Sequence, residues 1–239
     1  MAPLSYLIVG CGHFGSRAVR TLLEKNRHAK ITVVDREERA FQKIRDLPMR
    51  IILDEGVSYL RHLLEGRERI DIIIPAVPFH LAFELLLSSF KPLGAERGGI
   101  PPLEGLPNPV IGEAGDLYTS ISDFLCPSHC PEPASHCTVT RKKRKKAVYR
   151  ILTDLNGPFD SRVIRSQQLG LGVGGFKATA LLDLWEKIER GRRSDRLILV
   201  STACRCHGVV SALSFVQDAS APDPKQARHR RSRIPSPPL

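Results

Sequence analysis

Six residues, Gly10-Cys11-Gly12-His13-Phe14-Gly15, restrict this chain more than any others. They follow a short apolar run, Ser5–Val9, and precede Ala18, Val19, Leu22 and Leu23 at helical spacing. A strand that stops at a glycine turn and passes at once into an amphipathic helix is the opening half of a parallel βαβ unit. In G-x-G-x-x-G the first glycine permits a tight turn, the second lets the backbone approach a pyrophosphate, and the third lets the helix lie close on the strand. The free N–H groups at the helix start then attract the phosphates.

The rhythm continues down the chain. Residues 30–34 form a second apolar strand closed by Asp35, followed by a polar helix over about 37–46. A strand at 50–53, a helix at 57–64, a very apolar strand at 70–75 and a helix at 80–88 complete four alternations. This pattern predicts an α/β fold, a doubly wound and mostly parallel sheet of the Rossmann type. Residues 91–108, rich in Pro and Gly, read as an irregular loop leading to a strand at 109–112. Residues 113–146 hold an inserted Cys-rich segment and a basic run. A strand at 162–168, a glycine turn at 170–175, a helix at 177–190, a strand at 196–201 and a helix at 209–216 follow. From Asp218 onward Pro, Ser and Arg prevail without apolar periodicity, as in a disordered basic tail. The expected division is a nucleotide-binding domain over 1–112, a Cys-rich α/β part over 113–217 that continues or packs on the sheet, and a tail over 218–239.

Asp35 lies twenty residues after Gly15 at the end of the second strand, where a carboxylate accepts both ribose hydroxyls. It would repel a 2′-phosphate, so NAD is expected over NADP, with Arg36 as the residue that would serve NADP. The glycine loop, Val33-Val34-Asp35-Arg36, and Asp54 with Leu60 resemble the TrkA-N (RCK N-terminal) family over roughly residues 5–90. The resemblance implies an NAD-binding domain like those of bacterial potassium-uptake regulators, and places Asp54 on the adenine-side wall. His13 and Phe14 belong to the loop itself. Ala76 and Pro78 follow the fourth strand, in a loop that two prolines stiffen and that faces the nicotinamide end. His80, next along, is a candidate proton donor in a hydride-transfer step. The glycines at 170, 172, 174 and 175, with Gln167 and Gln168, form a second strand–turn–helix junction that reads either as a phosphate or carboxylate cradle or as a connecting turn.

The cysteines supply a different signal. Cys126, Cys130 and Cys137 form one cluster, and Cys204, Cys206 and His207 another, sixty-seven residues later. Two clusters in separate parts of a chain are what a four-ligand thiolate site needs, and the spacings leave zinc, an iron–sulfur cluster and no metal all open. Cys204, just past an apolar strand, falls on the same carboxyl edge as the glycine loop if all the strands join one sheet.

Charge and hydropathy exclude other classes. The net charge of +11 is concentrated in Arg141-Lys142-Lys143-Arg144-Lys145-Lys146 and in the tail, without interleaved aromatics, so nucleic acid is not the expected partner. No run of 18 apolar residues exists. The apolar segment before the glycines is about five residues long and lacks a basic stretch before it, unlike a secretory leader, so a cytoplasmic location is expected. The resulting reading is an NAD(H)-binding protein, with a homodimer possible, carrying a cysteine-ligated zinc or iron–sulfur site and acting as an oxidoreductase or redox-responsive regulator. The alternatives are a non-catalytic NAD-sensing subunit of the potassium-transport type and a nucleic-acid binder using the basic segments.

Overall fold

The computed structural model describes residues 3–216 apart from Arg67 and Arg193. The first part runs β1 (Ser5–Val9), α1 (His13–Lys25), β2 (Lys30–Asp35), a 3-10 segment (Glu38–Lys43), β3 (Arg50–Leu53), α2 (Gly56–Glu65), β4 (Ile72–Pro75) and α3 (Leu81–Phe90). The second part runs β5 (Ala95–Gly98), β6 (Val110–Ile111), β7 (Leu117–Ser120), α4 (Val148–Thr153), β8 (Phe159–Arg165), β9 (Gln167–Gly170), β10 (Val173–Lys177), α5 (Ala178–Gly191), β11 (Leu197–Ala203) and β12 (His207–Phe215).

Two sheets result. The first has the order β3-β2-β1-β4-β10-β9. Its four N-terminal strands are parallel, and β10 joins β4 antiparallel through Phe176 opposite Ile73. Period-two alternation sorts β1 between two cores. Leu7 and Val9 face α2, α3 and α5, whereas Ile8 faces α1 with Val19 and Leu22. The second sheet has the order β6-β7-β12-β11-β8, with β5 also on β12. Here β8 and β11 are parallel and the β11–β12 pair is antiparallel.

The core that joins the sheets is continuous. Leu7 and Ile73 of the first sheet, Phe83 and Leu85 of α3, Leu181 and Ile188 of α5, and Val200 and Leu213 of the second sheet all belong to it. Helix α3 is apolar around much of its surface, with Leu81, Ala82, Phe83, Leu85, Leu86 and Phe90 buried, as a helix enclosed by several neighbours requires.

The sequence-based expectation differs at several elements. Residues 209–216 form a strand rather than a helix, because β12 pairs along its length with β11, β7 and β5. The irregular loop expected over 91–108 contains β5, which pairs with the far half of β12. The polar helix expected over 37–46 shortens to the 3-10 segment, whose main buried anchor is Phe41. The segment at 162–168 divides into β8 and β9, which belong to different sheets. The tail expected over 218–239 lies outside the described residues. Among the described residues, no helix is long and apolar enough to cross a membrane.

Candidate functional site

The carboxyl ends of β1, β2 and β4 open onto a cleft of about 440 Å³. Gly10, Gly12, Asp35, Arg36, Ala76 and Pro78 all line it. The glycines have separable reasons. Gly10 has φ +93°, and a Cβ there would stand 2.5 Å from the Ala76 carbonyl oxygen. At Gly15 a Cβ would meet the Gly10 carbonyl oxygen at 2.0 Å, so α1 lies close on the turn. Gly12 has an ordinary φ of −67°, and a Cβ there would meet nothing within 4 Å among the described residues. The folded chain alone therefore does not demand glycine at position 12, and the open space in front of α1 suits a phosphate approaching its N–H groups.

Asp35 closes the other end. One carboxylate oxygen accepts from the Cys11 N–H at 2.7 Å and the other from the Glu37 N–H at 2.9 Å, which aims the group while leaving lone pairs toward the cleft. Glu37, Glu55 and Gly56 also line the cleft. The Glu55 carboxyl lies below its ordinary range: burial raises it, but the N–H groups of Val57 and Ser58, together with the nearby Arg36, outweigh that. Asp35, Glu37 and Glu55 thus place three carboxylates around one cleft, beside Arg36.

Other expected residues fall elsewhere. Asp54 does not line the cleft. Its carboxylate accepts from the Glu55 N–H at 2.7 Å, and the neighbouring Glu55 and Gly56 take the wall position. His13 and Phe14 do not line it either; their rings meet edge-on at 5.3 Å, and Phe14 is exposed. Cys11 is buried and its thiol is pushed up to about 11 by burial and by Asp35, so it packs as a small apolar group. The glycine junction at 170–175 is a β9–β10 hairpin, and a Cβ at Gly172 would stand 1.7 Å from the Ser128 carbonyl oxygen. The protein's own backbone occupies that position, which gives the turn a packing reason.

His80 is buried, and both of its ring nitrogens are engaged by the protein's own hydroxyls. Its Nδ1 lies 2.7 Å from Ser211 Oγ and its Nε2 2.9 Å from Thr202 Oγ1. Burial pushes its pKa down to about 4, which keeps the ring neutral near pH 7. Ser211 Oγ donates to Asp116 Oδ1 at 2.5 Å, and that same oxygen accepts from Arg97 Nη1 at 2.6 Å. Arg97 also pairs with Glu84 and stacks 4.4 Å over Phe83. This buried chain of polar groups joins α3, β5, β7, β11 and β12. It has no local sequence signature, because its members come from five separated segments.

The cysteines do converge. Cys126, Cys130, Cys137 and Cys206 line a cavity of about 180 Å³ beside Arg144. Cys126, Cys130, Cys204, Cys206 and His207 line another of about 270 Å³, together with Phe14. Cys126, Cys130 and Cys206 thus border both. Arg144 donates to Cys206 Sγ, and Arg17 reaches the Ser128 carbonyl from α1 at 2.7 Å. The loop between Cys126 and Cys130 is therefore tied to α1. Among the described residues, however, no three His, Cys, Asp or Glu side chains stand close enough together to hold a metal ion. The Cys204 Sγ is turned instead toward the backbone N–H groups of Cys206 and His207, each at 3.3 Å, within the β11–β12 hairpin.

Comparison with known proteins divides the chain at α3. The TrkA-N domain matches residues 6–78, which hold the cleft. A family model described as the C-terminal domain of an uncharacterized protein matches residues 82–216. An uncharacterized protein of Archaeoglobus fulgidus is 31% identical over 224 residues, covering 87% of this chain and 98% of its own length. The chain therefore belongs to the family that shares this C-terminal domain, and it carries the domain behind a TrkA-N, NAD-binding unit of the Rossmann type.

Proposed function

We propose that the chain is an NAD(H)-responsive regulator, in which the dinucleotide lies along the carboxyl edge of the first sheet and its binding biases the contact between the two sheets. The pyrophosphate would lie on the backbone at Gly12 and the start of α1, and Asp35 would take the adenosine ribose hydroxyls. The observation that carries this reading is the open space at Gly12, which no side chain of the described residues fills and which ends on an oriented Asp35. The shared core supports transmission, since α3 touches both sheets and starts directly after the loop that borders the cleft. A role without turnover is favoured because His80, the sequence candidate for proton transfer, has both ring nitrogens engaged within the protein.

The test is calorimetric titration with NAD and NADP. NAD is expected to bind more tightly. Asp35→Ala should weaken NAD by about 10- to 100-fold, the effect of losing hydrogen bonds to a charged group. Asp35→Asn, which keeps one acceptor, should fall between. Unchanged affinity in Asp35→Ala would contradict the assignment. Steady consumption of NADH with a small carbonyl compound would instead favour the oxidoreductase reading, for which a cavity beside the cleft offers room.

The cysteines support an added element of this reading. Because Cys126, Cys130 and Cys206 border both cavities, side-chain rotation toward the shared wall would gather a thiolate set for zinc or for iron with sulfide, with Cys137, Cys204 and His207 as further ligands. Elemental and sulfide analysis of anaerobically purified protein should then find about one metal site per chain. Cys130→Ser and Cys206→Ser should each lower it. A chain free of both metals removes this element and leaves the nucleotide reading untouched.

A further inference from the structure

A second cavity, of about 260 Å³, adjoins the nucleotide cleft and shares Val77, Pro78 and Phe79 with it. Its walls are apolar apart from His80, Thr202 and Tyr118. Thr202 and Val209 come from the second sheet, so the cavity joins the TrkA-N unit to the C-terminal domain.

The hydrogen-bond polarity of this cavity follows from the buried chain behind it. The Asp116 carboxylate, held by Arg97, can only accept, so the Ser211 hydroxyl donates to it. The Ser211 oxygen then takes the proton of His80 Nδ1, and Nε2 of the neutral ring is left as an acceptor. Thr202 must donate its only hydroxyl proton to that Nε2. What remains at Thr202 for a ligand is lone pairs. Thr202 therefore offers a hydrogen-bond acceptor of fixed direction on a largely apolar wall that Tyr118 also lines, which suits a flat apolar group bearing an N–H donor.

We infer that this cavity receives the nicotinamide ring of the bound dinucleotide, and that Thr202 reads its carboxamide N–H as a specificity-determining residue supplied by the C-terminal domain. The inference rests on the NAD reading above. It also identifies the contact through which the second sheet would sense the nucleotide: the amide reaches Thr202 on β11, and Thr202 is tied through His80 to α3 and through Ser211 to β12.

The experiment compares NAD, ADP-ribose and nicotinic acid adenine dinucleotide on the full chain by calorimetry. ADP-ribose, which lacks only the ring, reports on the adenosine, pyrophosphate and second ribose positions. Nicotinic acid adenine dinucleotide replaces the amide donor by a carboxylate, and should bind at least about tenfold more weakly than NAD. Thr202→Val should weaken NAD by about tenfold, leave ADP-ribose unchanged and abolish the discrimination against the acid form. Thr202→Ser, which keeps the hydroxyl, should restore NAD binding. If Thr202→Val leaves NAD unchanged, or weakens NAD and ADP-ribose equally, the assignment of the cavity is wrong. Free nicotinamide binding alongside saturating NAD would also overturn it, since the cavity would then hold a separate carboxamide. Failure of ADP-ribose to bind at all would instead refute the nucleotide reading beneath it.

Discussion

Gly12→Val is expected to lower NAD affinity by about 100-fold, roughly 2.7 kcal/mol, while leaving the melting temperature within about 2 °C of the parent. The two halves of that result have different causes. A valine at position 12 meets an extended backbone and open space among the described residues, so no neighbour in the apo chain must move to admit it. The same side chain would occupy the volume in which phosphate oxygens must approach the α1 N–H groups. Gly15→Val reverses the outcome. Its Cβ would stand 2.0 Å from the Gly10 carbonyl oxygen, so α1 must shift away from β1. The cost should reach or pass the upper end of the usual 1–3 kcal/mol for overpacking, visible as a large drop in melting temperature or as insoluble protein. Titration and thermal denaturation of both variants decide the matter. Gly12→Val retaining full affinity, or unfolding as Gly15→Val does, would show that position 12 is not reserved for the ligand.

Asp116→Ala should destabilise the protein by about 3 kcal/mol, toward the lower end of the range for removing one partner of a buried ion pair. Asp116 is 1% exposed and serves Arg97 and Ser211 with one oxygen. Without it the Ser211 hydroxyl loses its acceptor inside the core. Arg97 keeps Glu84 and is 28% exposed, which limits the penalty. Asp116→Asn retains a carbonyl acceptor for Ser211 and should cost less. Urea denaturation with both variants measures the difference. A loss below about 1 kcal/mol in Asp116→Ala would mean that the polar chain is incidental to stability. The same variant frees Ser211 to turn its proton toward His80, so it should also relax the acceptor polarity inferred at Thr202.

The first eighty residues were largely legible in the amino-acid sequence, for a physical reason. In a parallel βαβ unit each element is short, local and amphipathic, and the ligand edge is set by where strands end. Gly10, Gly12, Asp35, Arg36, Ala76 and Pro78 were found in this way, and they line one cleft. The TrkA-N resemblance pointed to Asp54, whereas Glu55 and Gly56 line the cleft and Asp54 accepts from the Glu55 N–H. His13 and Phe14 were carried along by the motif, which requires only its glycines.

What local pattern could not supply was pairing between distant segments. Residues 207–215, with Val209, Val210, Ala212 and Leu213, suit either state by periodicity, and the hydrogen bonds of β11, β7 and β5 decided for a strand. Cysteines of both clusters line shared cavities, and side-chain direction within the β11–β12 hairpin decides how their thiols face. By sequence His80 is a candidate proton donor near the nicotinamide, whereas burial under β11 and β12 makes it a neutral link to Thr202. The sequence by itself determined the glycine turn and its place at the strand ends beside Asp35, because glycine sterics and strand ends are local. The tertiary structure alone decided what faces the loop, because the chain Thr202–His80–Ser211–Asp116–Arg97 draws its members from segments up to 131 residues apart, and only their packing brings them within hydrogen-bond reach.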